Sequence, residues 1–518
     1  MKTYKIILLL IGVSIMGCSD LEEEPVGLLA PDGFFQTTAD IQTAVDGALT
    51  HAINEKFWGR KLSIALMLRS DMVSLASNET RRVEMEEFTT LASNGMISEF
   101  WPKTYQGIAA ANQAIAGAAD VNVDPEIKNP VTAQAYFTRA FYYFHLVRLF
   151  GDVPYIDAPI TDVDAATSLS RMPASEVYTK IIADLEFAKE WLPNTVASRA
   201  IPSKAAASSY LALVYLTMEQ WQNAYDEATE VINNAGTYNL ALDSNFQNLF
   251  NAEVIDGSLE PIFALDYNNF EADDNAYDQI APMTGIRGDV RNSGGGWSVA
   301  VPTLDVYTTW DEDDYRRAVS LDDVAKFDDD NDENTPAVAY PYTQFDISGH
   351  EFAKNVPYIA KYTRFPEPFA RANARATSHN YSMIRYAEVL LIAAEAAVEL
   401  GNNAAALNYI NQVRARARMG GQTMTGASVE ITVPPSAVPA DLTGTVTVED
   451  VLEERRLELA FEGKRWYDIA RRKIGNTVFG STGLEGSKPN FSDTDYILPI
   501  PEDELERNPN LLPQNPGY

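Results

Sequence analysis

Residues 132–154, TAQAYFTRAFYYFHLVRLFGDVP, decide the fold. Tyr136, Ala140 and Phe144 recur at every fourth position, with Phe137, Phe141 and Val147 on the flank, the spacing of an α-helix buried along a broad face. Gly151 and Pro154 then stop it, because glycine suits a left-handed cap and proline restricts the residue before it. Outward from this helix, nearly all strong periodicity is helical. Between Met96 and Ala118, Trp101, Tyr105, Ile108, Asn112 and Ile115 fall on one stripe. Further helices read at Ser175–Leu192, Ser203–Met218, Glu219–Asn234, Ser382–Leu400 and Asn402–Arg418, and a last one runs from Val448 to about Lys473.

The helices come in pairs, and two pairs share a spacing. Ala212, Tyr215, Ala224 and Ala228 are separated as Ala393, Ala396, Ala405 and Tyr409 are, which is the tetratricopeptide pattern. Small residues there let antiparallel helices approach closely. The pairs are not contiguous, so the stack is assembled from dispersed segments rather than from a uniform solenoid. The periodicity fades between residues 238 and 380, where Gly294-Gly295-Gly296-Trp297, an acidic stretch from Asp328 to Glu333 and a Pro- and Tyr-rich run lie. Irregular segments on a rigid base are where binding residues concentrate. A second irregular piece, Gly420–Thr447, carries the alternation Val429, Ile431, Val433, which predicts a short β-hairpin arm. The expected class is mainly α: about four non-contiguous tetratricopeptide-like hairpins, a loop-rich ligand-binding portion and short β-hairpins.

The 518 residues are 46% apolar and 22% charged, ample for a large core, and the net charge is −33. Such a surface repels phosphate backbones and disfavours docking on anionic lipid, so nucleic acid is excluded as a partner. One cysteine forms no intrachain disulfide, and its position, Cys18, is informative. Lys2 and Lys5 precede an apolar run from Ile6 to Met16, then Gly17 and Cys18. That run is too short to span a bilayer and reads as a secretory signal. With Ile15-Met16-Gly17-Cys18 at its end, it resembles a bacterial lipoprotein signal. The resemblance implies cleavage before Cys18 and acylation of that residue, palmitate included; plain secretion is the alternative. The acidic run Ser19–Pro25 is a solvated tether, and it also resembles the acidic signals that export lipoproteins to the cell surface.

Several ordered strings then resemble one family over essentially the whole length: Pro31-Asp32-Gly33-Phe34-Phe35; Trp101-Pro102-Lys103-Thr104-Tyr105; Ala135–Tyr142 with Leu149–Pro154; Asn411–Ala417; Glu454–Gly463 with Arg465, Trp466 and Asp468; and Leu498-Pro499-Ile500-Pro501 with Gln514–Tyr518. The chain resembles the SusD/RagB outer-membrane nutrient-binding lipoproteins. The resemblance implies a non-catalytic, lipid-anchored surface protein. Such a protein captures an oligosaccharide, or in some relatives a peptide, and delivers it to a SusC-like TonB-dependent transporter. The expected organisation is a signal peptide (1–17), an acidic tether (18–30), an N-terminal helical region (31–237), the ligand-binding portion (238–380) and a C-terminal region (381–518). A glycan-cleaving enzyme and a protein-bridging repeat scaffold are the rival readings.

Few residues invite catalysis. Glu454, Glu458, Glu462 and Asp468 alternate with Arg455, Arg456 and Arg465, and the expectation is mutual pairing, together with Arg414 or Arg416, rather than acid–base chemistry. Four histidines, His51, His145, His350 and His379, form no zinc pattern, and no phosphate-cradling loop occurs. Asp328, Asp330 and Asp332 have calcium-like spacing, but Glu333 and Ala339 stand where a turn glycine and a closing glutamate belong; a solvated loop is the stronger reading, with calcium as the sole cofactor candidate. Sugar recognition needs aromatic faces with hydrogen-bonding partners. Trp101, Trp191, Trp221, Trp310 and Trp466 read as core. That leaves Trp297 and Trp58 as ligand platforms, with Asp71, Asn78, Arg81 and Arg82 as polar partners.

Overall fold

A computed structural model describes residues 33–160, 162, 165, 167–267, 278–290, 296–328, 336–346, 353–365, 379–480 and 488–518. The signal peptide, Cys18, the whole tether, Gly294, Gly295, Asp330, Asp332 and His350 lie outside them.

Eight long helices form four hairpins: α1 (Thr38–Ile53) with α4 (Ile97–Asp120), α5 (Pro125–Phe150) with α6 (Ala174–Trp191), α7 (Lys204–Thr217) with α8 (Trp221–Asn233), and α9 (Tyr386–Glu399) with α10 (Asn403–Ala417). Two short helices, α2 (Lys61–Leu68) and α3 (Thr80–Glu86), lie between α1 and α4. Each hairpin packs on the next, α4 on α5, α6 on α7 and α8 on α9. The stack is therefore continuous although about 150 residues of sequence interrupt it before α9. Local chemistry sets the boundaries. Thr37 and Asp40 close a capping box at α1, Asp124 and Pro125 open α5, and Ser203 caps α7 through the Ala206 N–H. Gly151 ends α5 at φ +70°, as its sequence predicts. The fully buried Ala212, Ala224, Ala228, Ala393 and Ala396 let the third and fourth hairpins close up.

Three boundaries differ from expectation. Helix α5 begins at Pro125 rather than near Thr132, because Pro130 forfeits little more than its bond to the first-turn carbonyl of Glu126. Residues Tyr381–Arg385 form a strand (β8) antiparallel to Pro261–Leu265 (β2), so α9 starts at Tyr386, not Ser382. The last helix is two, α11 (Val448–Glu458) and α12 (Arg465–Arg472). The turn between them holds Phe461 at φ +64° and Gly463 at +69°. The Gly463 Cα faces the Trp58 ring, where an added Cβ would lie 3.3 Å from it.

The strands among the described residues pair in twos, mostly over long sequence distances. Val73–Leu75 (β1) pairs with Ala300–Pro302 (β3), Leu321–Asp322 (β4) with Tyr358–Ile359 (β7), and Val324–Phe327 (β5) with Val338–Pro341 (β6). The predicted arm is the hairpin Gly421–Met424 (β9) and Glu430–Val433 (β10).

An ion network ties the irregular portion to the stack. Arg316, Lys361, Arg385, Arg414 and Arg416 face Asp314, Glu260, Glu454, Glu458 and Glu462, five cations against five carboxylates. Arg385 reaches Glu260 at 2.7 Å, Glu458 at 2.5 Å and Glu462 at 2.9 Å, while Arg416 bridges Glu260 and Glu458. Burial pushes Glu458 up, but Arg416, Arg385 and Arg316 outweigh it and hold its carboxyl far below the usual range. Burial likewise raises Asp468, and Arg455 and Arg471 overcome it, leaving it at about 2. Glu454 differs, since burial outweighs Arg316 and Arg414 there and its carboxyl is raised. The pairing expected for this string holds, with Arg455 and Arg456 engaged by Asp468, Glu388 and Glu453.

Candidate functional site

The site is built on a close backbone approach that only glycine allows. A short helix, Ile280–Thr284, leads into Gly285 and Ile286, and the chain returns along it from Gly296. A Cβ on Gly296 would lie 2.3 Å from the Ile286 carbonyl oxygen. The returning strand is fixed by backbone bonds: the Trp297 N–H donates to Pro282 O at 2.7 Å, Ser298 to Gly285 O at 2.9 Å and Val299 to Met283 O at 3.1 Å. Trp297 is half-buried, one part of the indole resting on the main core and the rest accessible.

The ladder β1–β3 then aligns this turn with the polar segment after α2. Leu75 pairs with Ala300, and the Ala76 N–H donates to Val299 O at 2.7 Å. Beyond that bond, Asn78 and Trp297 each lie two residues further along their own segments. Asn78 is exposed. Helix α3 follows, with Arg82 Nη2 3.9 Å from Met283 Sδ. Arg82 pairs with Glu79 at 2.6 Å, and Arg81 donates to Glu79 and lies 3.5 Å from Glu99, leaving it 31% exposed. A second small core, with Ile286, Val301 and Phe327 in it, carries Ala76, Tyr340 and Tyr342 on its margin.

Two expected ligand residues are corrected. Trp58 is 1% exposed, wedged between His145 and Tyr381 at ring separations of 5.7 and 5.2 Å, so no face remains for a sugar. Asp71 is fully buried and takes a two-pronged bond from Arg465, 2.8 Å to each oxygen. Burial pushes its carboxyl up and Arg465 overcomes that, holding it below the usual range. Both belong to the scaffold. The tryptophans read as core are so placed: Trp101, Trp310 and Trp466 are buried, and Trp191 and Trp221 pack against the core.

Sequence reasoning named no tyrosine of the irregular portion. Tyr307, Tyr340 and Tyr342 are half-buried there; Tyr307 donates to Asp323 at 2.9 Å, lies under the Arg317 guanidinium at 4.5 Å and meets Tyr342 edge-on at 5.2 Å. The signal was the Tyr-rich run itself. The arrangement offers aromatic faces and hydrogen-bonding groups on a fixed backbone, suited to binding a polyhydroxylated ligand. Among the described residues, no group of three metal-ligating side chains comes together, and no helix is long and apolar enough to cross a membrane. The five carboxylates Glu453, Glu454, Glu458, Glu462 and Asp468 are each paired with a cation.

Residues 259–518 match the model of the SusD family, and residues 29–216 match a family described as starch-binding, associating with outer membrane. The SusD-like protein P2 of Formosa agariphila is 49% identical over 524 residues, covering 100% of both chains. A SusD homolog from Bacteroides thetaiotaomicron has the same fold, with a TM-score of 0.77 at 20% identity over 94% of this chain and 98% of its own. A laminarin-binding SusD-like protein superposes with a TM-score of 0.74 at 24% identity, over 93% of this chain and 100% of its own.

Proposed function

The chain belongs to the SusD family, and on that premise we propose that it is a lipoprotein anchored in the outer membrane through acylated Cys18 and exposed at the cell surface. It binds a nutrient oligosaccharide around Trp297 and hands it, uncleaved, to a SusC-like TonB-dependent transporter. The observation that carries this reading is Trp297 itself: a half-buried indole next to the close backbone approach at Gly296 and three residues before the strand that pairs with β1. A ring held so rigidly loses little freedom when a pyranose stacks on it. The match to a starch-binding, outer-membrane-associated family supports both the ligand class and the location. The laminarin-binding relative makes a neutral glucan the first probe. A shallow site buries little ligand, so affinity for short oligosaccharides should be modest.

A glycan and peptide array with the soluble protein, starting after Glu24, identifies the ligand. Calorimetry then compares the parent with Trp297→Ala. Loss of one stacking face should weaken binding about tenfold or more, with helical circular dichroism unchanged. Unaltered affinity removes Trp297 from the site. Release of new reducing ends from the bound glycan would turn the reading toward an enzyme, and capture of peptides alone would turn it toward the peptide-binding relatives.

A further inference from the structure

A second cleft lies on the helical stack, outside the Trp297 portion, where α5 ends and α12 crosses α6 and α7. It encloses about 250 Å³, just under the range of about 300–1,000 Å³ usual for small-molecule sites. Its walls are the rings of Tyr178, Tyr467 and Tyr496, and its charged lining is Arg148, Lys473 and Arg471.

The three cations are not alike. Arg471 is fully engaged, by Glu395 at 2.5 and 2.6 Å and by Asp468 at 2.8 Å. The guanidinium of Arg148 is stacked between the rings of Phe144 and Tyr467, 3.7 and 3.5 Å from their centroids. Its Nε donates to Phe144 O at 2.9 Å and its Nη2 lies 3.5 Å from His145 Nδ1. Its Nη1 has no acceptor, and the group has no carboxylate at ion-pair distance, among the described residues. Lys473, held at φ +54° where α12 ends, sets its ammonium 4.1 Å from the Tyr496 ring and likewise has no hydrogen-bond or ion-pair partner among the described residues. The nearby Asp493 bonds Asn476 instead, at 2.9 Å. The Tyr178 hydroxyl also lacks a partner among the described residues, whereas those of Tyr467 and Tyr496 bond His145 and the Gly475 N–H.

The chain carries 73 acidic residues against 40 basic ones, and it matches the cations of its ion network one for one. Two cations with no carboxylate at ion-pair distance among the described residues thus share one aromatic cleft. Arg148 in particular is pre-oriented: two rings and a carbonyl fix the plane of its fork, so its unused N–H groups present a fixed donor edge. An oxyanion answers those donors, and three tyrosine rings answer the C–H face of a pyranose.

We infer that this cleft is a second ligand site, which takes an acidic sugar by its carboxylate or sulfate through Arg148, Lys473 and the Tyr178 hydroxyl. It stands independently of the Trp297 site, and the tests separate the two. Calorimetry on the intact chain compares glucuronic acid, glucose 6-sulfate, glucose and sodium sulfate. At least one acidic sugar should bind about tenfold tighter than glucose, and its affinity should fall as salt rises from about 50 to about 300 mM. Lys473→Gln and Tyr178→Phe should each weaken it severalfold with the thermal midpoint unmoved, and Trp297→Ala should leave it unchanged. Preference for glucuronic acid assigns a carboxylate, and preference for glucose 6-sulfate a sulfate ester. Equal binding of glucose and both acids, sodium sulfate binding as tightly as either acid, or parental affinity in both variants would overturn the assignment.

Discussion

Arg385→Met tests what holds the irregular portion to the stack. Arg385 is buried on β8 and makes five bonds: to Glu260 (2.7 Å), to Glu458 (2.5 Å), to both oxygens of Glu462 (3.0 and 2.9 Å) and to the Glu458 carbonyl (2.7 Å). Methionine fills much of the volume but leaves five carboxylates facing four cations. The three acids keep other partners, Arg416 for Glu260, Arg416 and Arg316 for Glu458, and Lys361 for Glu462. The loss is therefore not that of three naked charges but of one uncompensated negative charge in a dry site, about 3–5 kcal/mol. Urea unfolding followed by tryptophan emission measures it. The double variant Arg385→Met/Glu462→Gln restores the charge balance and should recover part of the loss, a coupling that a purely steric defect would not give. Arg385→Lys keeps the charge and loses the fork, and should fall between. A cost under about 1 kcal/mol for Arg385→Met would refute the argument, since a surface pair costs that much at most.

Acid should weaken the fold before its carboxylates protonate. Burial holds His379 down at about 4, and burial with Arg148 and Lys464 holds His145 well below the usual imidazole range. Both pKa values are depressed in the folded state, so the unfolded chain takes up protons first. The stability they give is complete above about pH 6.5 and is lost as pH falls toward 4, about 3 kcal/mol for His379 alone. Urea midpoints flat from pH 7 to pH 4.5 would contradict this, and His379→Gln should flatten the slope. Gly107→Ala should cost about 1–3 kcal/mol by overpacking, because its Cβ would lie 2.4 Å from the Tyr142 ring, whose hydroxyl is tied to Ala48 O at 2.7 Å; the thermal midpoint reads it. Asp71→Asn should destabilise by leaving Arg465 without its carboxylate, about 3–5 kcal/mol, yet leave glycan affinity intact in calorimetry. Reduced affinity with unchanged stability would return Asp71 to the site.

The scaffold was legible because its information is local. A buried helix repeats its apolar positions every three or four residues, and caps such as Ser203 and Gly151 act within one turn. The misreadings share the opposite property. Tyr381–Arg385 resembles the start of α9 until β2, 120 residues upstream, pairs with it. Trp58 sits among Lys56, Gly59 and Arg60, and what buries it is His145, Tyr381 and the bare Cα of Gly463. Asp71 reads as a surface loop residue because Arg465 is 394 positions away. Of the candidate site, Trp297 was legible as an aromatic with no helical face to join, and the Tyr-rich run was visible as composition. The segment carrying Trp297 is set by the register of β1 against β3, and Tyr340 by that of β5 against β6, which no local pattern encodes.

That dependence explains why the ion network and the irregular portion belong to one design. Isolated two-stranded ladders are marginal in water, and those of the described residues outside the β9–β10 arm join segments far apart in sequence or, like β5–β6, sit within the irregular portion itself. Such a portion has little periodic packing of its own with which to hold a fixed shape. The network supplies fixed points where ladders do not: Arg316 before β4, itself held by Asp314, Lys361 after β7 and Arg385 on β8 all converge on Glu454, Glu458 and Glu462 of α11 and the turn beyond it. Desolvating these charges is expensive, and apolar side chains would bind the layers at least as strongly. What apolar contacts lack is direction. A fork of guanidinium bonds specifies where each irregular segment meets the stack, which apolar packing alone does not.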